Sequence, residues 1–145
     1  MNDITALVAN DHAYVRHVLD EAKRPTDTPG VRRDLVDQVR SAWATHGAAE
    51  RVVVYGEASE ALGPSPVQRA THVHDALDRL MTDLHGDATD EQLDAVGQLV
   101  DDHIQLVEGD LLQAMNDVAP GRLAPMASQW TQAVEAASGL TKPAD

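Results

Sequence analysis

The sequence predicts an all-α fold, an up-down-up-down antiparallel four-helix bundle followed by a short C-terminal helix. Alanine, valine, leucine and acidic residues dominate the chain, and the strict alternation of a half-buried β-strand is hard to find in it. Apolar residues instead recur every three or four positions over four long stretches, as on the buried face of a helix. Short segments with proline or glycine separate these stretches, which favours a bundle.

The first two helices each carry polar residues on an apolar stripe. The first is predicted from Asp3 to Lys23, with His12 on its stripe and His17 on the surface. The second is predicted from Val31 to Ala61. Its line contains Leu35, Val39, Trp43, His46, Glu50, Val53 and Glu57. Burying an unpaired carboxylate is costly, so something must compensate the polar residues in mid-stripe.

The third helix is predicted from Pro66 to His85, with Ser65 as its N-cap. His74 lies on its apolar line, whereas His72 points roughly the other way. We expect His85 in the last turn, where the helix dipole favours a cation.

The fourth helix is predicted from Asp90 to Val118. Thr89 and Gln92 form a capping box at its start. His103 lies on its core line and Glu108 slightly off it.

A short amphipathic helix is predicted from Leu123 to Ala137, followed by a frayed end, LTKPAD. We expect residues 1–119 to form the bundle and residues 120–145 to pack on the same domain.

Composition excludes several classes of protein. The chain has 145 residues and no cysteine, which rules out disulfides, thiolate metal sites and cysteine nucleophiles. Its net charge of −13 argues against nucleic acid as a partner. The N-terminus lacks a basic region followed by an apolar run, and no stretch approaches the roughly 18 to 20 apolar residues of a membrane span. We therefore expect a soluble, cytoplasmic protein.

Four histidines, one in each predicted helix, indicate a metal site. They are His12, His46, His74 and His103, each near the middle of its helix and on the apolar stripe. Antiparallel packing brings them to a similar depth, and together with carboxylates they would destabilise a core that held no cation. Nitrogen and oxygen ligands without sulfur suit Fe, Mn or Zn. Ligands from all four helices of a bundle are typical of dinuclear carboxylate sites.

These residues resemble the hemerythrin-like (HHE cation-binding) domains, over about Ile4 to Val118. The similarity lies in LVANDHAYVRHVL, in the block from His46-x-x-x-Glu50 to VVVYGEA, in the third helix and in DDHIQLVEGDLL. The resemblance implies two non-haem iron ions joined by an oxo or hydroxo bridge, with the two carboxylates also bridging. The ligands that it implies are His12, His46, Glu50, His74, His103 and Glu108.

The chain departs from the family pattern at three places. The bacterial pattern has a carboxylate four residues after the last histidine, where this chain has Val107; Glu108, one further, fits the spacing of the oxygen-carrying hemerythrins. The oxygen-carrying hemerythrins have two histidines four residues apart in the third helix, whereas the positions four residues before and after His74 are Ala70 and Asp78. Asp78 could replace the second histidine or could be a solvated or capping carboxylate, and His72 is a weaker candidate. Gly47 stands where HHE domains often have Glu.

An incomplete ligand set would leave positions on the metals for O2, peroxide or NO. Apolar neighbours would keep the pocket dry, namely Val8, Val53, Val107 and Leu111. Tyr14 and Tyr55 are expected to pack nearby with their hydroxyls at a rim.

Three functions remain open at this point. The first is a di-iron protein that binds O2 or a related small molecule for carriage, sensing or detoxification. The second is a di-iron oxidase, peroxidase-like enzyme or oxygenase acting on a small substrate. The third is an interaction module without metal. Iron storage is weaker, because one bundle holds too few ions. The redox partner and the oligomeric state are left open.

Overall fold

The computed structural model describes the backbone of residues 3–141 and the side chains of residues 3–139. This part of the chain is helical and contains no strand. No helix within it is both long and apolar enough to cross a membrane.

Two helices begin with side-chain caps, at Asp3 and at Thr89. Helix α1 spans Ile4–Lys23, and Asp3 Oδ1 accepts a hydrogen bond from the backbone N–H of Ala6. Helix α5 spans Asp90–Ile104, and the predicted capping box of Thr89 and Gln92 is confirmed. Each cap satisfies an N–H group that the first turn would otherwise leave unpaired.

The predicted second and fourth helices are each helical throughout, but each contains a π-helical segment between two α-helical ones. The second run consists of α2 (Val31–Ala49), a first π segment (Glu50–Tyr55) and α3 (Gly56–Leu62). The fourth consists of α5, a second π segment (Gln105–Leu112) and α6 (Gln113–Val118). Because π-helical hydrogen bonds join residues five apart, each segment shifts the phase of the side chains that follow it.

The third predicted helix is shifted towards the N-terminus. Helix α4 spans Pro64–Asp83, with Gly63 at its N-cap and no side-chain cap. The expectation that Ser65 is the N-cap is therefore wrong, since Gly63 with φ of 82° turns the chain one residue before Pro64. His85 lies beyond the helix, because Leu84 is already extended. Its predicted place in the last helical turn is also wrong.

The C-terminal helix is longer than expected. After a 3-10 turn at Pro120–Arg122, α7 spans Leu123–Thr141. It packs against α1, α2 and the first π segment. The predicted frayed end falls mostly on residues 142–145, which lie outside the described residues.

The buried apolar residues form two clusters, with the conspicuous histidines between them. In the first helix, Ile4 and Val8 belong to one cluster and Val15 to the other, with His12 in between. In the other helices His46, His74 and His103 likewise lie between residues of the two clusters. The four histidines therefore lie at one level, as the periodicity predicts, and Val8, Val53, Val107 and Leu111 all belong to the cluster on one side of that level.

Candidate metal centre

Glu50 lies at the centre of four buried histidines, and its side chain is wholly buried. Its Oε2 atom lies 2.9 Å from His46 Nε2 and 3.2 Å from His12 Nε2. Its Oε1 atom lies 2.8 Å from His103 Nε2 and 3.1 Å from His74 Nδ1. One ligand atom from each of His12, His46, Glu50 and His103 lies within 4.8 Å of the others. Each oxygen of this carboxylate thus faces its own pair of imidazole nitrogens.

Two further carboxylates contact histidine nitrogens that point away from Glu50. Asp11 Oδ2 lies 3.3 Å from His46 Nδ1, and Glu108 Oε2 lies 2.6 Å from His12 Nδ1. Metal-binding histidines usually have such a partner at the second ring nitrogen, which fixes the tautomer and the ring orientation. The structure therefore brings Glu108 to the cluster, on the outer side of His12. That Glu108 is a direct ligand stays a prediction.

Asp78 lies at the outer side of His74 and is engaged by two other side chains. It accepts hydrogen bonds from Trp43 Nε1 and from Arg51 Nη2, each 2.7 Å long. Its Oδ1 atom is 3.7 Å from His74 Nε2, too far for a hydrogen bond. A direct role for Asp78 in metal binding also stays a prediction.

The π segments explain why residues five apart face the same site. Glu108 follows His103 by five residues, and the second π segment begins between them. On a regular α-helix this spacing would turn Glu108 away from the line of His103. In the first π segment, Tyr55 follows Glu50 by the same spacing. The phase shift brings Tyr55 back towards the carboxylate.

Tyr55 lies deeper in the protein than its sequence context suggests. It is buried, and its hydroxyl donates a hydrogen bond of 2.9 Å to Glu50 Oε1. The same hydroxyl oxygen lies 2.7 Å from His74 Nδ1. The expectation of a hydroxyl at a rim is therefore wrong for Tyr55, whereas Tyr14 is half exposed. Tyr55 follows Glu50 by the five residues that also separate His103 from Glu108, but this spacing indicates a shared face only where a π segment is present.

Two other polar residues singled out in the sequence lie outside the cluster. His72 is exposed. Glu57, which the 3.6-residue period placed on the buried line, instead lies 2.9 Å from Arg122 Nη1. The first π segment precedes Glu57 and rotates it off that line.

Aromatic rings hold the histidines in place. The Trp43 ring centroid lies 4.8 Å from that of His74 and 5.0 Å from that of His103. Trp130 of α7 covers His46 at 5.2 Å. A Cβ at Gly47 would lie only 2.9 Å from His74 Nε2. Gly47 therefore makes the room that the His74 ring occupies.

The charges in the cluster are unequal. Burial opposes ionisation of Glu50, but His46 and His103 hold its pKa well below the usual range. Burial would lower the pKa of His46, yet Glu50 and Asp11 outweigh it and raise the pKa to about 9. For His103 burial prevails and the pKa is lowered. Without a cation, the site therefore holds an ionised carboxylate and a proton on His46.

Three buried ring nitrogens have no hydrogen-bond partner among the described residues: His74 Nε2 and both nitrogens of His103. His103 Nε2 approaches Glu50 Oε1 closely, but not in a direction that makes a hydrogen bond. Unpaired buried polar atoms cost roughly 1–3 kcal/mol each. A cation between His103 Nε2 and Glu50 Oε1 would bind the unpaired nitrogen and the carboxylate oxygen at the same time. The donor atoms are nitrogen and oxygen only, a set that suits Fe, Mn or Zn. The residues present therefore fit a metal.

A cavity of about 350 Å³ adjoins the cluster on the side of His46. It lies where α1, α2 and α7 meet. Its polar lining includes Asp11, Ser41 and Thr45, and Tyr14 also lines it. A small molecule could approach His46 from this side.

An all-helical protein with a buried group of histidines around a shared carboxylate defines a class, the helical metal-binding proteins that use nitrogen and oxygen ligands. Residues 3–115 match the model of the hemerythrin HHE cation-binding domain. The chain belongs to this family. Comparison with curated proteins and with solved structures gives no match.

Proposed function

We propose that the chain binds two non-haem iron ions and, through them, O2 or a related small molecule such as NO or peroxide, for carriage, sensing or detoxification. One observation carries the proposal: each oxygen of the wholly buried Glu50 faces two histidine nitrogens. A carboxylate placed in this way suits a bridge between two cations. Mn or Zn would fit the same donor atoms.

The proposed ligands are His12 and His46 on one side of Glu50 and His74 and His103 on the other. Glu108, which the resemblance to the family implies as a further ligand, contacts the outer nitrogen of His12 through Oε2 and from there would also orient that ring. Asp11 has the same orienting role at His46 and Asp78, more distantly, at His74.

When bound, iron would supply electrons to O2 or to a related molecule. The protein supplies the remainder of the function. Buried apolar residues next to the histidines, among them Val8 and Val107, exclude water and slow the transfer of protons to the site. Dryness of this kind favours reversible binding over irreversible oxidation.

The arrangement of helices is part of the proposal. We propose the up-down-up-down topology, with the described residues up to 119 as the bundle and residues 120–141 packed on it; the ends of the two predicted ranges, 1–119 and 120–145, lie outside the described residues. Packing of α1 against α2 and α5, and of α4 against α5, supports this order. The cytoplasmic location stays a prediction.

A second candidate is a di-iron oxidase, peroxidase-like enzyme or oxygenase. The cavity beside His46 favours it, because a small substrate could lie there close to the metals.

The experiment that tests these proposals is metal analysis combined with ultraviolet-visible spectroscopy. Protein loaded with iron is reduced without air, exposed to O2 and then deoxygenated. About two irons per chain, with absorption bands that appear with O2 and vanish on its removal, would support binding of O2. Two irons that oxidise once and do not revert would support the enzyme. A folded protein that binds no metal would refute both and leave the interaction module.

A further inference from the structure

We propose that Tyr55 is itself a metal ligand, through its phenolate oxygen, at the position formed by His74, His103 and Oε1 of Glu50. This inference rests on the proposed function, because it requires that the cluster holds metal.

The donor atoms around Oε1 of Glu50 are spaced like ligands of a single ion. Tyr55 Oη lies 2.9 Å from Glu50 Oε1 and 2.7 Å from His74 Nδ1, and those two atoms are 3.1 Å apart. His103 Nε2 lies 2.8 Å from the same carboxylate oxygen. Metal–ligand bonds of about 2.0–2.1 Å place neighbouring ligand atoms roughly 3 Å apart. These four distances are the separations expected of ligands that share one cation.

The two halves of the cluster differ in composition. The half at Oε2 of Glu50 has His12 and His46, each with a carboxylate close to its outer nitrogen. In the half at Oε1, Asp78 is turned towards Trp43 and Arg51 and remains 3.7 Å from the outer nitrogen of His74. Tyr55 adds an oxygen donor to the inner side of this half, next to Oε1 of Glu50.

Burial and backbone geometry both direct the Tyr55 hydroxyl into the cluster. Tyr55 is 6% exposed, and its hydroxyl contacts Glu50 and His74 inside the protein. The first π segment, which begins at Glu50 and ends at Tyr55, turns the ring inwards. π-helical turns are rare and frequently occur at functional sites. Here the π segment brings one specific oxygen to the cluster.

Ligation requires that the O–H bond of the phenol breaks as the metal–oxygen bond forms, and the proton leaves to solvent. No electron is transferred in this step. A bound cation is the largest local charge in such a site and displaces protons from its ligands. Ferric iron, a hard cation, is the form that should bind the phenolate oxygen best.

The test uses the full chain loaded with ferric iron. A phenolate bound to ferric iron gives a visible charge-transfer band, and resonance Raman excitation in that band enhances the vibrations of the tyrosine ring. We expect both signals in the wild type and in Tyr14→Phe, and their loss in Tyr55→Phe. Tyr14 is a matched control, since the chain has two tyrosines and Tyr14 is half exposed.

A second measurement covers the case in which Tyr55→Phe does not fold. Tyr14→Phe grown with ring-deuterated tyrosine leaves Tyr55 as the one labelled ring, and its enhanced vibrations should shift. Two irons per chain without tyrosine vibrations would overturn this inference and leave the proposed function intact. Persistence of the band in folded Tyr55→Phe would overturn it as well. Failure to bind iron at all would overturn both.

Discussion

The substitution Gly47→Ala should weaken metal binding and lower stability, although alanine has the higher helix propensity. Gly47 is buried within α2, and a Cβ there would lie 2.9 Å from His74 Nε2. Ordinary contacts between such atoms begin near 3.5 Å, so the new methyl group is about 0.5 Å too close. Movement of the His74 ring would relieve the contact. Trp43, at 4.8 Å, and Tyr55, whose oxygen is 2.7 Å from Nδ1, restrict that movement.

The magnitude follows from two opposing terms. Alanine in place of glycine within a helix gains roughly 0.5–1 kcal/mol. Overpacking a core typically costs about 1–3 kcal/mol. Gly56→Ala isolates the first term, because Gly56 is exposed and a methyl group added there would meet nothing within 4 Å beyond the neighbouring residues and the backbone of its own helix. The metal-free Gly47→Ala protein should therefore unfold with a free energy about 1–3 kcal/mol below that of Gly56→Ala.

The assay combines thermal unfolding of the metal-free proteins with titration by zinc, which is redox-inert. For a chain of this size, the difference corresponds to a melting temperature lower by about 2–4 °C per kcal/mol. Displacement of His74 should also weaken at least one zinc ion by about tenfold or more, judged from the 10- to 100-fold cost of lesser disturbances around metal ligands. Equal stability and equal zinc affinity in the two alanine variants would refute the idea that Gly47 makes room for a ligand.

Three further predictions concern the carboxylates and the proton of the cluster. Glu50→Gln should reduce bound zinc from about two per chain to one or fewer by elemental analysis, whereas Glu135→Gln, at an exposed position, should not. Asp11→Asn should weaken zinc binding about 10- to 100-fold, because it removes the carboxylate beside His46. Asp37→Asn, at an exposed position, should leave the affinity unchanged. Equal zinc affinities in the two variants would contradict the orienting role of Asp11. Because the pKa of His46 is raised to about 9, zinc must displace its proton, and affinity measured by competition with a chelator should rise by up to about tenfold per pH unit between pH 6.5 and 9.

The same shift has the opposite effect on the metal-free fold. A histidine whose pKa is higher in the folded state than in the unfolded state stabilises the fold fully below the unfolded pKa, near 6.5. That contribution is lost as pH rises through about 9, the folded pKa of His46. Chemical unfolding of the metal-free protein at pH 6.5 and at pH 9 measures this loss of stability. The same loss in His46→Ala would contradict its assignment to His46.

The level of the histidines could be predicted from the sequence because it depends only on local periodicity. His12 and His74 lie on regular α-helices, where a residue's face follows from its distance to neighbouring apolar residues. The capping box at Thr89 could be predicted for the same reason. In each case the relevant interactions lie within one or two turns.

The residues beyond the π segments could not be placed in this way. A regular period of 3.6 residues puts Glu57 on the buried line and predicts the wrong direction for the Tyr55 side chain. Nothing in the local composition of ERVVVY indicates a π-helix. Its phase shift is held by tertiary contacts, among them the hydrogen bond from Tyr55 to Glu50. The outer positions of Glu108 and Asp78 likewise depend on contacts between distant segments.

The π segments also bear on how such a site tolerates changes of chain length. One extra residue in a regular α-helix rotates everything after it by about 100° and would turn a core face to solvent. A π segment takes up extra residues locally, so that Val100 before it and Met115 after it are both buried. Loss of one residue between His103 and Glu108, with a return to regular α-helix, would again put the two on one face. Within this helix the number of residues between the histidine and the carboxylate can thus vary by insertion or deletion. A sequence motif with a fixed spacing of four residues would miss chains that keep the geometry of the site with a different spacing.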